Sequence, residues 1–156
     1  MIPALILTLD NTLIKTRSKQ QYALHSEDWL FNNQAVAAIK EYSAKQYKIL
    51  IISNQLAIYN NITPEKSFLR KMELIVSTLE RDLKLKPSSI CYSYCIDVDS
   101  YNFLPNPGML YDFALDFDIS LYNSILIGSS IYDKTIATYS GISTYLDISL
   151  LTYKEE

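Results

Sequence analysis

The chain has 156 residues, 49% of them hydrophobic and 20% charged, with a net charge of −3; it is long enough to bury a core without disulfides and too apolar to be disordered. It holds 13 Tyr but only 3 Gly, where average usage gives about 11, so a glycine-rich phosphate loop or dinucleotide fingerprint is excluded. No apolar run reaches the length of a membrane span, residues 2–9 are too short for a signal core, and 2 Cys make no disulfide framework.

In chain order, residues 4–9 (A-L-I-L-T-L) form a short apolar run and read as a strand buried on both faces. Residues 10–33 show no period and read as a loop or flap. Over 34–45, Val36, Ile39 and Tyr42 recur at helical spacing, and 47–52 (Y-K-I-L-I-I) is a second buried strand ending at Ser53. Pro64, with Thr63 as its expected N-cap, opens the longest helix, with a stripe of Leu69, Met72, Ile75, Leu79 and Leu83. A weaker strand follows at 89–94. Pro107 starts a helix carrying Met109, Leu110, Phe113 and Phe117, then come a strand at 124–127, a helix at 132–140 and a strand at 142–146. Gly141 stands where a helix end wants positive φ.

This alternation predicts one doubly wound, Rossmann-like α/β domain over 1–156, a five-stranded parallel sheet with helices on both faces and a flap at about 10–33. In such folds ligands sit beyond the carboxyl ends of the strands, so the residues just after each strand are the candidates.

Those strand ends resemble the haloacid dehalogenase (HAD) phosphohydrolases with a minimal cap, and within them the polynucleotide 3′-phosphatase branch. The likeness is carried by L-T-L-D-N-T-L-I-K-T-R-S (7–18), Asp28-Trp29 in the flap, I-I-S-N-Q-L-A-I (51–58), L-P-N-P-G-M (104–109) and I-G-S-S-I-Y-D (127–133), followed by S-G-I. The resemblance implies that the first Asp of a D-x-D-x-T motif attacks phosphorus; Thr8 occupies that place. The second Asp, the acid/base, is kept as Asp10, and the motif Thr as Thr12. The phosphate-binding hydroxyl is kept as Ser53, the phosphate-screening lysine aligns with Leu104, and the magnesium-binding Asp aligns with Ser129, leaving Asp133 as the second Asp of its motif.

Thr8, Leu104 and Ser129 thus lack the charges that phosphoryl transfer uses. The expectation that follows is a catalytically inactive pseudophosphatase that binds no magnesium or other cofactor. Such a domain would serve as a protein-interaction or scaffold module, with a nucleic-acid-processing complex as its expected setting. The alternative is a magnesium-dependent polynucleotide 3′-phosphatase or phosphomonoesterase with an altered site using Asp10, or a module that binds nucleic-acid ends without hydrolysis. A register with Asp10 as the nucleophile would put Ile14 where the motif requires Thr.

Other features read more plainly. Cys91 and Cys95 are spaced C-x-x-x-C with no second pair, and the only histidine, His25, lies in the flap, so the cysteines read as small apolar side chains rather than zinc ligands. Lys15, Arg17 and Lys19 form a basic cluster beside the expected site mouth, enough for weak nucleic-acid contact. Residues 1–86 carry 12 Lys/Arg against 8 Asp/Glu and residues 87–156 carry 2 against 9, an asymmetry that could orient a partner. The expected partners are a protein of unknown identity and, weakly, nucleic acid, in an intracellular setting (cytoplasmic or nuclear) without membrane attachment.

Overall fold

The structure is a computed structural model that describes residues 1–152. Its first strand, β1 (Ala4–Thr8), is buried along its whole length, as a continuous apolar run requires when both faces are covered. A two-stranded antiparallel ribbon follows, β2 (Ile14–Lys15) with β3 (Leu30–Phe31). Residues 10–33 are therefore not a bare loop; Ile14 pairs with Phe31 and pins the flap at its base. The ribbon was not legible because two-residue strands are too short to carry a period.

Helix α1 (Asn33–Ala44) starts at Asn32, whose side chain accepts the backbone N–H of Gln34 at 3.1 Å. Strand β4 (Lys48–Asn54) runs beside β1, then a single turn α2 (Leu56–Tyr59) leads to α3 (Glu65–Asp82). The expected Thr63 cap is corrected: Pro64 holds the cap position and no side chain caps the helix. The buried face of α3 keeps the expected Met72, Ile75 and Leu79, but at its first turn Phe68 faces the core and Leu69 is exposed.

Strand β5 (Ile90–Cys95), α4 (Gly108–Phe117), β6 (Ile125–Gly128), α5 (Ile131–Ser140) and β7 (Thr144–Asp147) complete the alternation, with a short 3₁₀ turn at Ile148–Leu150. Phe117 is half-exposed rather than on the buried stripe of α4, and Lys48 Nζ lies 4.6 Å over its ring. Gly141 has φ 75° and accommodates the left-handed turn that ends α5.

The five long strands form one parallel sheet in the order β5-β4-β1-β6-β7. Alternate residues feed two cores. Leu5, Leu7, Ile49 and Ile51 meet α1 and α3 on one face, whereas Ala4, Ile6, Leu50 and Ile52 meet α4 and α5 on the other. The Rossmann-like fold class read from the sequence is the fold observed. With β1 central, the order of connection reverses between β4 and β6, so the switch point lies at the carboxyl end of β1. No described helix is long and apolar enough to cross a membrane.

Candidate active site at the carboxyl end of β1

Beyond β1 the chain turns tightly. The N–H groups of Leu13 and Ile14 both return to the Leu9 carbonyl at 3.0 and 3.1 Å, and Asn11 takes φ 62° at the tip. Asparagine tolerates that left-handed conformation better than most residues with a Cβ, which is why it can stand where the resemblance has glycine. The turn sends Asp10 outward and Thr12 inward: Asp10 is exposed and Thr12 fully buried.

Thr8, Thr12, Ser129 and Asp133 form one connected network. Thr8 Oγ1 donates to Asp133 Oδ2 at 2.8 Å and lies 2.7 Å from Thr12 Oγ1, which in turn donates to Ser129 Oγ at 3.0 Å. The Ser129 N–H also donates to Asp133 Oδ2, at 2.9 Å, and Ser130 caps α5 by accepting the Asp133 N–H at 3.3 Å. Gly128 makes this approach feasible, because a Cβ there would lie 2.4 Å from Asp133 Cβ.

Opposite this network, Gln55 Nε2 donates to Asp10 Oδ2 at 3.2 Å and to Ser53 Oγ at 2.5 Å. Asn54 does not face a ligand: its amide clasps the backbone of Leu104 in both directions, at 2.8 and 2.9 Å. That clasp seats Leu104, only 8% exposed, in the wall of a cavity of about 460 Å³ lined also by Thr8, Asp10, Ser53, Phe103 and Asp133. Tyr145 Oη donates to the Ser130 carbonyl at 3.1 Å, and its hydroxyl is pushed up to about 12 by burial and by the nearby Asp133 and Asp147 carboxylates.

The structure thus gathers Thr8, Asp10, Ser53, Leu104 and Asp133 around one cavity and ties Thr12 and Ser129 behind it. Lys15 and Lys19 are exposed and Arg17 likewise, on the flap side of the turn and outside that cavity's lining. Cys91 and Cys95 lie on β5 against the α4–α5 core, and His25 stands in the flap with Nδ1 accepting the Glu27 N–H. Gln55, which bridges Asp10 to Ser53, carries no role in the sequence reading although it sits inside I-I-S-N-Q. Its position two residues after Ser53 was the available signal.

A parallel α/β sheet with two carboxylates and a serine hydroxyl converging at its switch point is the architecture of a HAD-like protein. Residues 5–135 match the family described as Polynucleotide kinase 3 phosphatase, and the chain belongs to that family. It is 27% identical over 152 residues to the D-glycero-beta-D-manno-heptose-1,7-bisphosphate 7-phosphatase of Photorhabdus laumondii subsp. laumondii, a match spanning 92% of this chain and 78% of that protein. Among solved structures, the D,D-heptose 1,7-bisphosphate phosphatase from B. bronchiseptica, complexed with magnesium and phosphate, superposes with a TM-score of 0.77 at 17% identity, over 93% of this chain and 80% of that one. A HAD-like protein from Mesorhizobium loti gives 0.78 at 19% identity, over 90% and 69%. These two likenesses are of fold.

Two expectations are corrected by these findings. The reading as an inactive, non-enzymatic scaffold gives way, because the family is one of phosphatases and the curated relative is a phosphatase. The lost charges at Thr8, Leu104 and Ser129 do not empty the site: two carboxylates, Asp10 and Asp133, and the Ser53 hydroxyl still line one cavity. The expectation that no magnesium or other cofactor is used gives way as well, since a phosphatase of this fold carries magnesium with phosphate.

Proposed function

We propose that the chain is a magnesium-dependent phosphomonoesterase of altered site, acting on the 3′-phosphate of a nucleic-acid end. One observation carries the reading: Asp10 and Asp133 line the same cavity as Ser53 at the carboxyl ends of the strands, on the fold of a phosphatase family.

The donor set suits magnesium. Each of the two carboxylates accepts its hydrogen bonds on Oδ2, and Oδ1 accepts none among the described residues. Magnesium is commonly held by one or two carboxylates together with substrate phosphate oxygens and water. Asp133 would hold it here, leaving Asp10 for proton transfer, and it would supply positive charge against the phosphate that Leu104 does not.

Asp10 is the group placed to move a proton. It is exposed at the mouth, oriented by Gln55, and free to take a proton from an attacking water or to return one to the leaving oxygen. Thr8 is not so placed: its proton goes to Asp133 and its oxygen is held against Thr12 Oγ1, so it organises the site rather than attacking. Ser53 presents a hydroxyl, and Leu104, Phe103 and Ile136 form a wall that keeps water away from the phosphate's far side. Lys15, Arg17 and Lys19 add charge on the flap side for the strand that carries the phosphate.

The test is release of inorganic phosphate from a 3′-phosphorylated oligonucleotide, with Mg²⁺ and again with EDTA. Release that requires Mg²⁺ and disappears in Asp10→Asn supports the proposal; a folded wild-type protein that releases none rejects it.

A further inference from the structure

A second groove, of about 700 Å³, adjoins the cavity, sharing Asp10, Asn54 and Leu56 with it. It runs between flap residues 20–25 and the first turns of α3. Lys71 lines it and is only 7% exposed, which makes it the one buried Lys or Arg among the described residues. Lysine is almost never buried without a partner. Lys71 has no hydrogen bond and no carboxylate partner among the described residues; its Nζ lies 5.4 Å over the ring of Phe68, another groove residue. A ring face offsets only part of what an ammonium loses on leaving water.

The same wall offers a second source of positive potential. Helix α3 begins at the groove with Thr63, Pro64 and Ser67 in its lining, and no side chain caps it. The first N–H groups of an uncapped 18-residue helix favour an anion. The acid nearest in sequence, Glu65, is turned away, its carboxylate accepting Tyr94 Oη at 2.7 Å on the β5 side. Ser67, Gln20 and His25 complete the groove with uncharged or weakly basic donors.

We infer that this groove is an anion subsite for a second phosphate of the substrate, with Lys71 as its charge. The enzyme then takes phosphomonoesters that carry another phosphate, terminal or in a phosphodiester, on the flap side of the scissile one. The identity of the ligand rests on the phosphomonoesterase reading; the subsite itself does not.

Binding in EDTA, where turnover plays no part, separates the two. Isothermal titration compares adenosine 3′-monophosphate, adenosine 3′,5′-bisphosphate and a 3′-phosphorylated thymidine dinucleotide. At least one of the two-phosphate ligands binds about tenfold or more tightly than the monophosphate, as a charge-assisted contact gives. A gain confined to the bisphosphate identifies a terminal phosphate; one confined to the dinucleotide identifies a phosphodiester. The gain disappears in Lys71→Met and persists in Lys71→Arg. Equal affinity for all three ligands, or a gain unchanged in Lys71→Met, overturns the subsite. Should Lys71→Met not fold, the wild-type NMR signals of the Lys71 side chain read the same contact: they move with a two-phosphate ligand and not with the monophosphate, and their failure to move overturns it. Preference without phosphate release leaves the subsite standing and removes the hydrolytic reading; release without preference does the reverse.

Discussion

Two aspartates near the flap are held in opposite ways. Asp28 is 2% exposed and accepts three bonds, from the Ser18 N–H at 2.7 Å, the Ser18 hydroxyl at 2.6 Å and the Leu24 N–H at 2.8 Å. Asp10, at the mouth, is exposed and accepts one amide. Burial alone would raise the pKa of Asp28, but its three donors, with a smaller contribution from His25, outweigh that and bring it down to about 2. A carboxylate saturated by donors cannot readily take a proton, so it serves as a staple that closes the flap loop on itself. A carboxylate with lone pairs open to a cavity can accept a proton or bind a cation. The difference lies in what surrounds each side chain and not in the residue type.

The largest effect that separates them is on turnover. Asp10→Asn keeps size and the Gln55 neighbourhood but removes the base, and phosphate release falls about 10²- to 10⁴-fold, the usual contribution of general acid–base catalysis. Its melting temperature stays within a degree or two of wild type, because an exposed side chain with one bond carries little stability. Initial rates and a thermal melt check both halves. A melt that drops as far as the rate would place Asp10 in the frame with Asp28.

Asp28→Ala inverts the pattern. It leaves the N–H groups of Ser18 and Leu24 without their acceptor, and stability falls by about 1–3 kcal/mol, the cost of unsatisfied buried donors. Urea unfolding measures that loss, and faster proteolysis within residues 16–28 localises it. Activity at saturating substrate falls less than in Asp10→Asn.

The pH dependence of the staple has a definite sign. The folded value of Asp28, about 2, lies below its ordinary value of 3.8, so its contribution is present above about pH 4 and is lost as the pH falls towards 2. Wild-type stability therefore declines over that acid window more steeply than that of Asp28→Asn, which has no such carboxylate to protonate. Urea midpoints at pH 5, 4, 3 and 2 follow the two curves; parallel curves would remove Asp28 as the source.

What the sequence made legible were features that repeat locally. The buried runs of β1 and β4, the helical spacing of α1 and the glycine at the end of α5 each follow from neighbours within a few positions. The strand ends then located the cavity, because parallel sheets place ligands there. The hydroxyl chain from Ser129 to Asp133 through Thr12 and Thr8 was not legible, since Thr8 and Asp133 lie 125 positions apart and meet only once β6 docks beside β1. Read singly, Thr8 and Ser129 are losses of charge; read together, they are the partners that fix Asp133. Lys71 was not legible for a related reason: helical spacing gives no cause to bury a lysine, and its burial depends on contacts distant in sequence.

The smallest effect tests the part assigned to Thr8, and so whether Asp10 alone sits at the chemical end of the comparison. Thr8→Ala deletes the bond to Asp133 and the contact with Thr12 Oγ1, whose own proton still goes to Ser129. Asp133 keeps the Ser129 N–H, so its position loosens without being lost. Removing one hydrogen bond to a carboxylate costs about 1.5–3 kcal/mol, and the retained Ser129 N–H keeps the loss at the low end of that range. A shift of that size in how well Asp133 is placed corresponds to about a tenfold fall in phosphate release. If Thr8 attacked phosphorus, the same variant would lose release altogether, and the wild type would hold radiolabelled phosphate on the protein after quenching in acid. A decrease of about tenfold in Thr8→Ala, with no label retained by the wild type, keeps Thr8 with Asp28 as a residue that holds the site and leaves proton movement to Asp10.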